Sequence, residues 1–327
     1  MKLNKPILFN LILALFIWSA WYAYSSPQPF EILRENWPIS LTMVFGSFIA
    51  GATSEGGGAV AFPVFTKALH IAPLDAKIFS LAIQSVGMTA ATLTIIVMQV
   101  PVAWRGIAWC SLGGVGGVVI SSLLVAPLLQ PALLKMLFTA MIVSFALTLT
   151  ILNWRPRYYN SVLPICSWRE RTILVASGIV GGGMTGLVGN GIDIICFSVL
   201  VLLFRLAEKV ATPTSVVLMA FNSLVGFLLH LFLIDGFNER VEQYWLAAVP
   251  VVVIGAPLGA YFCTKLNNRT IAGILIGLIV VELISSLCLI PLTDKIATVS
   301  SAVFIVFSVI YYLMSRSEQY WPPGGEE

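Results

Sequence analysis

Glu55 sits between Gly51-Ala-Thr-Ser and Gly56-Gly57-Gly58, and an apolar run continues from there to Phe65. Asn190 and Asp193 stand in a weaker version of the same pattern, Gly186-Leu-Val-Gly-Asn-Gly-Ile-Asp. Both stretches interrupt apolar surroundings in which a bilayer-spanning helix is expected. Each glycine costs about 1 kcal/mol relative to alanine inside a helix. A carboxylate at that depth costs about 2.5–3.5 kcal/mol on insertion scales. A chain that accepts both costs twice is building a site there.

Two kinds of chemistry suit these residues. Glycine breaks expose backbone N–H groups, and a half-helix N-terminus presents the positive end of its dipole, which favours an anion. Glu55 and Asp193 offer carboxylates for a coupling proton or cation; their structural use would be to cap the half-helix that follows. The helix after each break adds uncharged polar groups: Ser80 and Gln84 in the first case, Ser215, Asn222 and Ser223 in the second. Such groups hold an oxyanion weakly enough to release it; their other use is hydrogen bonding between helices. The substrate-contact candidates are therefore Glu55, Gly56, Gly57, Gly58, Ser80, Gln84, Asn190, Gly191, Asp193, Ser215, Asn222 and Ser223. Glu282, within a later apolar segment, has an interhelical hydrogen bond as its simplest use.

Composition says which elements must position these groups. Of 327 residues 58% are hydrophobic and 10% charged, against about 25% charged in a soluble domain. The chain is an integral membrane protein with no polar stretch long enough for a separate soluble domain. Its basic residues are scattered between apolar segments, which excludes a nucleic-acid footprint. The cysteines at 110, 166, 196, 263 and 288 and the histidines at 70 and 230 show no metal-ligand spacing. No GxxxxGK[ST] run and no Gly-x-Ser-x-Gly occurs. No metal, cofactor or enzymatic activity is expected.

Apolar segments lie at about 7–24, 38–54, 57–70, 76–99, 106–127, 132–152, 172–189, 191–206, 210–234, 244–264, 271–291 and 296–314. Two of them, 57–70 and 191–206, are short, and each follows a glycine break. If both cross, charge alternation puts Arg155, Arg157, Arg169, Arg171, Arg205 and Lys209 on the inner side, and Lys77 and Lys135 on the outer side. If neither crosses, the arginines of 155–171 fall outside. Crossing is the expected solution. The first segment reads as an uncleaved first helix, with a cleaved signal peptide as the other reading; Trp18, Trp21 and Tyr22 suit an outer interface.

An offset of 135 residues lays 76–99 on 211–234, 106–127 on 241–262 and 132–152 on 267–287. Five crossings per unit make the second unit inverted. The expected fold is an all-α polytopic membrane protein of two inverted repeats, each with a glycine-rich broken helix at the midplane, plus an extra helix at each end. The corresponding division is 1–30 first helix, 38–152 repeat 1, 153–171 cytoplasmic basic loop, 172–291 repeat 2, 292–316 last helix and 317–327 tail. Both termini are cytoplasmic if the first helix is uncleaved. Glycines at four-residue spacing, Gly113, Gly117, Gly178, Gly182, Gly255 and Gly259, read as close helix packing rather than as site.

At Gly51–Phe65 with its Gly-Gly-Gly-Ala-Val-Ala-Phe-Pro-Val run, at Gly186–Gly191, at Ala211-Thr-Pro-Thr-Ser215 and at Asn222-Ser223-x-x-Gly226, the sequence resembles the TauE/SafE sulfite exporter family. The resemblance covers roughly 38–291. It implies two related halves, a bacterial inner-membrane location and transport of sulfite, organosulfonates or related sulfur and carboxylate anions. Two departures stand out: Ser198 replaces the proline found at Pro63 in the first repeat, and Glu55 places negative charge where an anion binds. The expected partners are a small anion, a coupling proton or cation and the lipid bilayer, with a homodimer left open. The alternative is a proton- or cation-coupled carrier of another small solute, using Glu55 and Asp193.

Overall fold

The computed structural model describes residues 5–56, 61, 64–153, 159–163, 167–317 and 320. Gly57, Gly58, Phe62, Pro63, Arg155, Arg157 and Cys166 lie outside them. The described residues form helices and no strand; one bridge pairs Asn160 with Leu206. The helices are α1 (Lys5–Ser25), α2 (Pro29–Glu35), α3 (Trp37–Ala52), α4 (Pro73–Val97), α5 (Trp104–Ile120), α6 (Pro131–Asn153), α7 (Trp168–Val188), α8 (Ile192–Leu202), α9 (Glu208–Phe232), α10 (Glu239–Cys263), α11 (Asn268–Leu289) and α12 (Asp294–Arg316). A π-turn at Val64–Ala68 precedes α4, and π- and 3₁₀-turns carry α5 on to Leu128. Among the described residues, nine helices are long and apolar enough to cross a membrane. The chain is a multi-pass membrane protein.

Local sequence sets the helix starts. Proline occupies the first turn of α2, α3 and α4, where a missing N–H costs nothing. Asn238 and Asn267 cap α10 and α11 by accepting from Val241 N–H at 3.0 Å and Thr270 N–H at 2.8 Å. The short element α2 falls in a stretch read from sequence as a connection.

The two short apolar helices differ from full spans. The 16 residues of α3 rise about 24 Å and the 11 of α8 about 16 Å, against a hydrocarbon core of about 30 Å. The apolar segment 191–206 is therefore helical for only part of its length. It unwinds after Leu202, with Arg205 in the left-handed region at φ 54°. This unwound end joins a cluster at one end of the bundle. Asn160 N–H donates to Arg205 O at 2.7 Å, and the Asn160 amide donates to Phe204 O at 2.8 Å and Tyr320 O at 2.9 Å. The Arg205 guanidinium donates to Ser315 O, and the Tyr320 hydroxyl donates to Glu170 at the start of α7 at 3.0 Å. These are segments that charge alternation assigns to one side.

Helix α1 docks on α10 through its indoles. Pro250 has no N–H, so the carbonyl of Leu246 lacks its usual helical donor; Trp21 Nε1 donates to it at 2.8 Å. Trp18 Nε1 donates to Pro250 O at 2.9 Å. The polar ends of these two indoles serve packing between helices.

The glycine stripes do what their spacing predicts. A Cβ on Gly113 would meet Val175 O at 2.1 Å, on Gly117 Ile179 O at 2.3 Å, on Gly178 Cys110 O at 2.1 Å and on Gly182 Gly114 O at 2.1 Å, so α5 and α7 touch backbone to backbone. Gly255 and Gly259 bring α10 equally close to α3, at 2.0 Å from Ser47 Oγ and 2.0 Å from Phe48 O. Gly182→Val must push α5 and α7 apart. It is expected to lower stability by about 1–3 kcal/mol or more, read as a lower melting temperature in detergent; an unchanged melting temperature would contradict the packing.

Candidate functional site

The two glycine breaks meet. Helix α7 ends at Val188, Gly189 takes the left-handed conformation at φ 89°, Gly191 sits at φ 142°, and α8 starts at Ile192. The other chain segment leaves α3 at Ala52 and turns at Gly56, φ 71°. Asn190 Nδ2 donates to Glu55 O at 2.6 Å. A Cβ on Gly56 would lie 3.1 Å from Asn190 Nδ2 and 3.2 Å from Asp193 Oδ2, so only a bare backbone fits between them.

Helix α4 closes the contact from the side. Ser80 Oγ donates to Gly189 O at 3.2 Å, and Gln84 Nε2 donates to the same carbonyl at 3.0 Å and to Ser80 Oγ at 2.6 Å. These residues spend donors on the second break, while Gln84 Oε1 has no partner. Their first job is interhelical hydrogen bonding.

The expected anion cradle at the α8 N-terminus is already occupied. Ile192 N–H donates to Thr185 Oγ1 at 2.9 Å, Gly191 N–H to Asn190 Oδ1 at 3.0 Å, and Ile194 N–H to Asp193 Oδ1 at 2.9 Å. Side chains of the chain itself thus engage the orphan donors of the first turn, as capping requires. Asp193 is fully buried and serves as a cap with one oxygen; Oδ2 faces Gly56 without a hydrogen bond.

Around the Glu55 side chain lies a cavity of about 670 Å³ of space not filled by atoms, part of it open to solvent. Its wall combines Met43 and Ala50 of α3, Glu55, Phe79, Ser80 and Gln84 of α4, Lys135 and Phe138 of α6, Asn190 and Glu282 of α11. Glu55 is 1% exposed, and neither carboxylate oxygen has a hydrogen-bond partner among the described residues. Its carboxylate lies in the field of Glu282, Lys135 and Asp193.

The structure thus gathers Glu55, Ser80, Gln84 and Asn190 on one wall, with Gly56 and Asp193 stacked behind. It places Ser215, Asn222 and Ser223 elsewhere. Ser215 and Ser223 donate to Thr212 O and Ala220 O of their own helix, at 2.8 and 3.2 Å. Asn222 donates to Leu218 O at 2.8 Å and presses its other amide atom on Gly114 of α5. None of the three lines the cavity. Gly57 and Gly58 fall outside the described residues.

Lys135, counted from sequence only among the outer-side charges, is a wall residue of the cavity. It lies in the second turn of α6, 5% exposed, and forms an ion pair with Glu282, itself 1% exposed. The Lys135 ammonium also sits 5.5 Å from the Phe138 ring centroid. No sequence signal pointed to the pair: the 135-residue offset lays Lys135 on Thr270 and Glu282 on Leu147.

The family model for sulfite exporter TauE/SafE matches residues 39–286, more than half of the chain. The chain belongs to the TauE/SafE sulfite exporter family. No curated protein and no solved structure matches it. TauE/SafE proteins are membrane transporters and not enzymes, and the family name points to sulfur anions. The matched span takes in both glycine breaks, the Lys135–Glu282 pair and all the cavity wall. Helices α1 and α12 lie outside it.

Proposed function

We propose that the chain is a secondary transporter of small oxyanions, such as sulfite, organosulfonates or related carboxylates, working by alternating access between two inverted repeats. The observation that carries this is the meeting of the two glycine breaks beside a cavity that holds a buried lysine and a glutamate whose carboxylate has no hydrogen-bond partner among the described residues. A small anion needs a cation and polar groups in a water-poor chamber, and an energy source needs a group that binds the coupling ion.

The repeat is supported by position and by contact. Shifted by 135 residues, Pro73–Val97 falls on Glu208–Phe232, and the start of α5 falls on the start of α10. The packing crosses over: α5 lies on α7 and α10 lies on α3, so the fourth apolar segment of each unit packs on the first of the other. A Cβ on Gly51 would meet Ala256 O at 2.0 Å, and on Gly186, Ser121 Oγ at 2.1 Å. Both members of this pair of contacts are 135 residues apart, as are Glu55 and Asn190. A two-fold relation between units makes such exchanged contacts natural. Substrate release then requires the Glu55–Asn190 contact to rearrange as one unit rocks on the other. We place the chain in a bacterial inner membrane, with α1 retained as an uncleaved span and both termini cytoplasmic.

The test is flux of radiolabelled sulfite and a short sulfonate through the purified protein in proteoliposomes. Saturable flux well above empty vesicles is expected. Absence of flux of either anion, in protein shown to be folded, overturns the anion reading. A second reading is favoured by the two carboxylate oxygens of Glu55 and the Oδ2 of Asp193, which have no hydrogen-bond partner among the described residues: a proton- or cation-coupled carrier of another solute. Gradient-driven ion movement without anion flux would establish it.

A further inference from the structure

Two lysines remain that the glycine-break geometry does not use. Beside the main cavity lies a second one, of about 460 Å³ of unfilled space, walled by α4, the α5–α6 connection, α6 and the end of α7. Lys135 and Val188 line both, so the two cavities abut at Lys135. Lys77 of α4 lines the second cavity. It is 7% exposed and makes no ion pair or hydrogen bond among the described residues.

A buried, unpaired ammonium is costly unless something of opposite charge visits it. Lys135 has a resident partner, but an incomplete one. Glu282 meets Lys135 through Oε1, which also accepts a long 3.5 Å contact from Ser286 Oγ, while its other oxygen, Oε2, has no hydrogen-bond partner. A buried ion pair stabilises a fold only when its remaining lone pairs are satisfied. This one is not. Among the described residues lining the main cavity, Lys135 is the one cation, against the carboxylates of Glu55 and Glu282. An anion entering that chamber has one favourable contact, and Glu282 already holds it.

We propose that Lys77 and Lys135 are successive contacts on the anion's route, and that Glu282 is a resident counter-ion which the arriving oxyanion displaces from Lys135. This deepens the anion-carrier reading and rests on it. Lys77 draws the anion into the second cavity; Lys135 passes it to the chamber beside Glu55 as it exchanges one carboxylate for the substrate. Exchange of one anionic partner for another keeps Lys135 compensated throughout.

The experiment compares sulfite flux in proteoliposomes for the wild-type protein, Lys77→Met, Glu282→Gln and the charge-neutral double variant Lys135→Met/Glu282→Gln. Sulfite protection against thermal unfolding in detergent is measured alongside. Glu282→Gln removes the competitor and is expected to lower the KM for sulfite several-fold. The double variant keeps no buried unpaired charge at this position, so it is expected to fold, yet to lose sulfite protection and raise KM by about tenfold or more. Lys77→Met is expected to raise KM and to flatten its dependence on ionic strength. Wild-type KM and wild-type sulfite protection in the double variant would make the pair purely structural and overturn the proposal while leaving the carrier reading intact. Should the double variant fail to fold, an unchanged KM and salt dependence in Lys77→Met overturns it instead. Wild-type protein that carries no anion at all overturns the carrier reading, and this proposal with it.

Discussion

Replacing Glu55 by glutamine is expected to leave saturable anion flux but to abolish its response to an imposed pH gradient. A gradient of one pH unit stores about 1.4 kcal/mol per proton, which for one proton moved per anion shifts the steady-state anion distribution about tenfold. The wild-type protein should show that shift, and Glu55→Gln should show none. Glu55 is buried in the cavity wall, both carboxylate oxygens lack hydrogen-bond partners among the described residues, and its backbone carbonyl rather than its side chain holds Asn190. Glutamine therefore keeps the backbone contact and the side-chain volume and removes only the titrating group. The neighbouring charges of Glu282, Lys135 and Asp193 remain. Steady-state distribution measured at two gradients decides the matter. A variant that still follows the gradient tenfold would move the coupling role to Asp193 or Glu282.

The second large effect is expected at Gly56. Gly56→Val should remove nearly all flux while most of the bundle still folds. Two costs act at one point. The residue sits at φ 71°, where a β-branched side chain is a genuine outlier, costing about 1–3 kcal/mol. Its Cβ would also press on the amide of Asn190 and the free oxygen of Asp193, at 3.1 and 3.2 Å. The break can relieve both only by moving Glu55 away from Asn190, and that opens the contact on which the cavity is built. Gly56→Ala carries the same strain with less bulk and should retain partial flux. Flux measured with protein recovered monodisperse after reconstitution separates loss of transport from loss of folding. Wild-type flux in Gly56→Val would mean that the two breaks are not the moving contact.

Much of the architecture is legible along the chain because a bilayer imposes one-dimensional rules. Apolar length marks spans, and small residues at four-residue spacing mark the faces where helices meet. Gly113, Gly178, Gly182 and Gly259 all bear a facing backbone within 2.0–2.1 Å of a built Cβ, as that spacing predicts. The glycine breaks are equally local: glycine-rich stretches are poor helix, and α3 stops at Ala52, ahead of Gly56, while α7 stops at Val188, ahead of Gly189. The constant offset of 135 residues was visible too, and the helix boundaries of α4 and α9 follow it.

Direction and partnership were not legible. Whether a polar side chain on a helix faces a cavity, a neighbouring helix or its own backbone depends on rotation about the helix axis, and packing sets that rotation. Ser215 and Ser223 bond back to their own helix, while Ser80 and Gln84 reach across to Gly189 O, though the sequence presents them as equivalents. The α8 N-terminus reads as an open anion cradle until Thr185, seven residues from Ile192, is seen to fill it. Lys135 and Glu282 lie 147 residues apart in α6 and α11, and nothing local to either shows that they pair. Burial of a charge is decided by what stands opposite it in space. Local composition determined the spans, the breaks and the class of protein, while the tertiary structure decided which charges line the cavity.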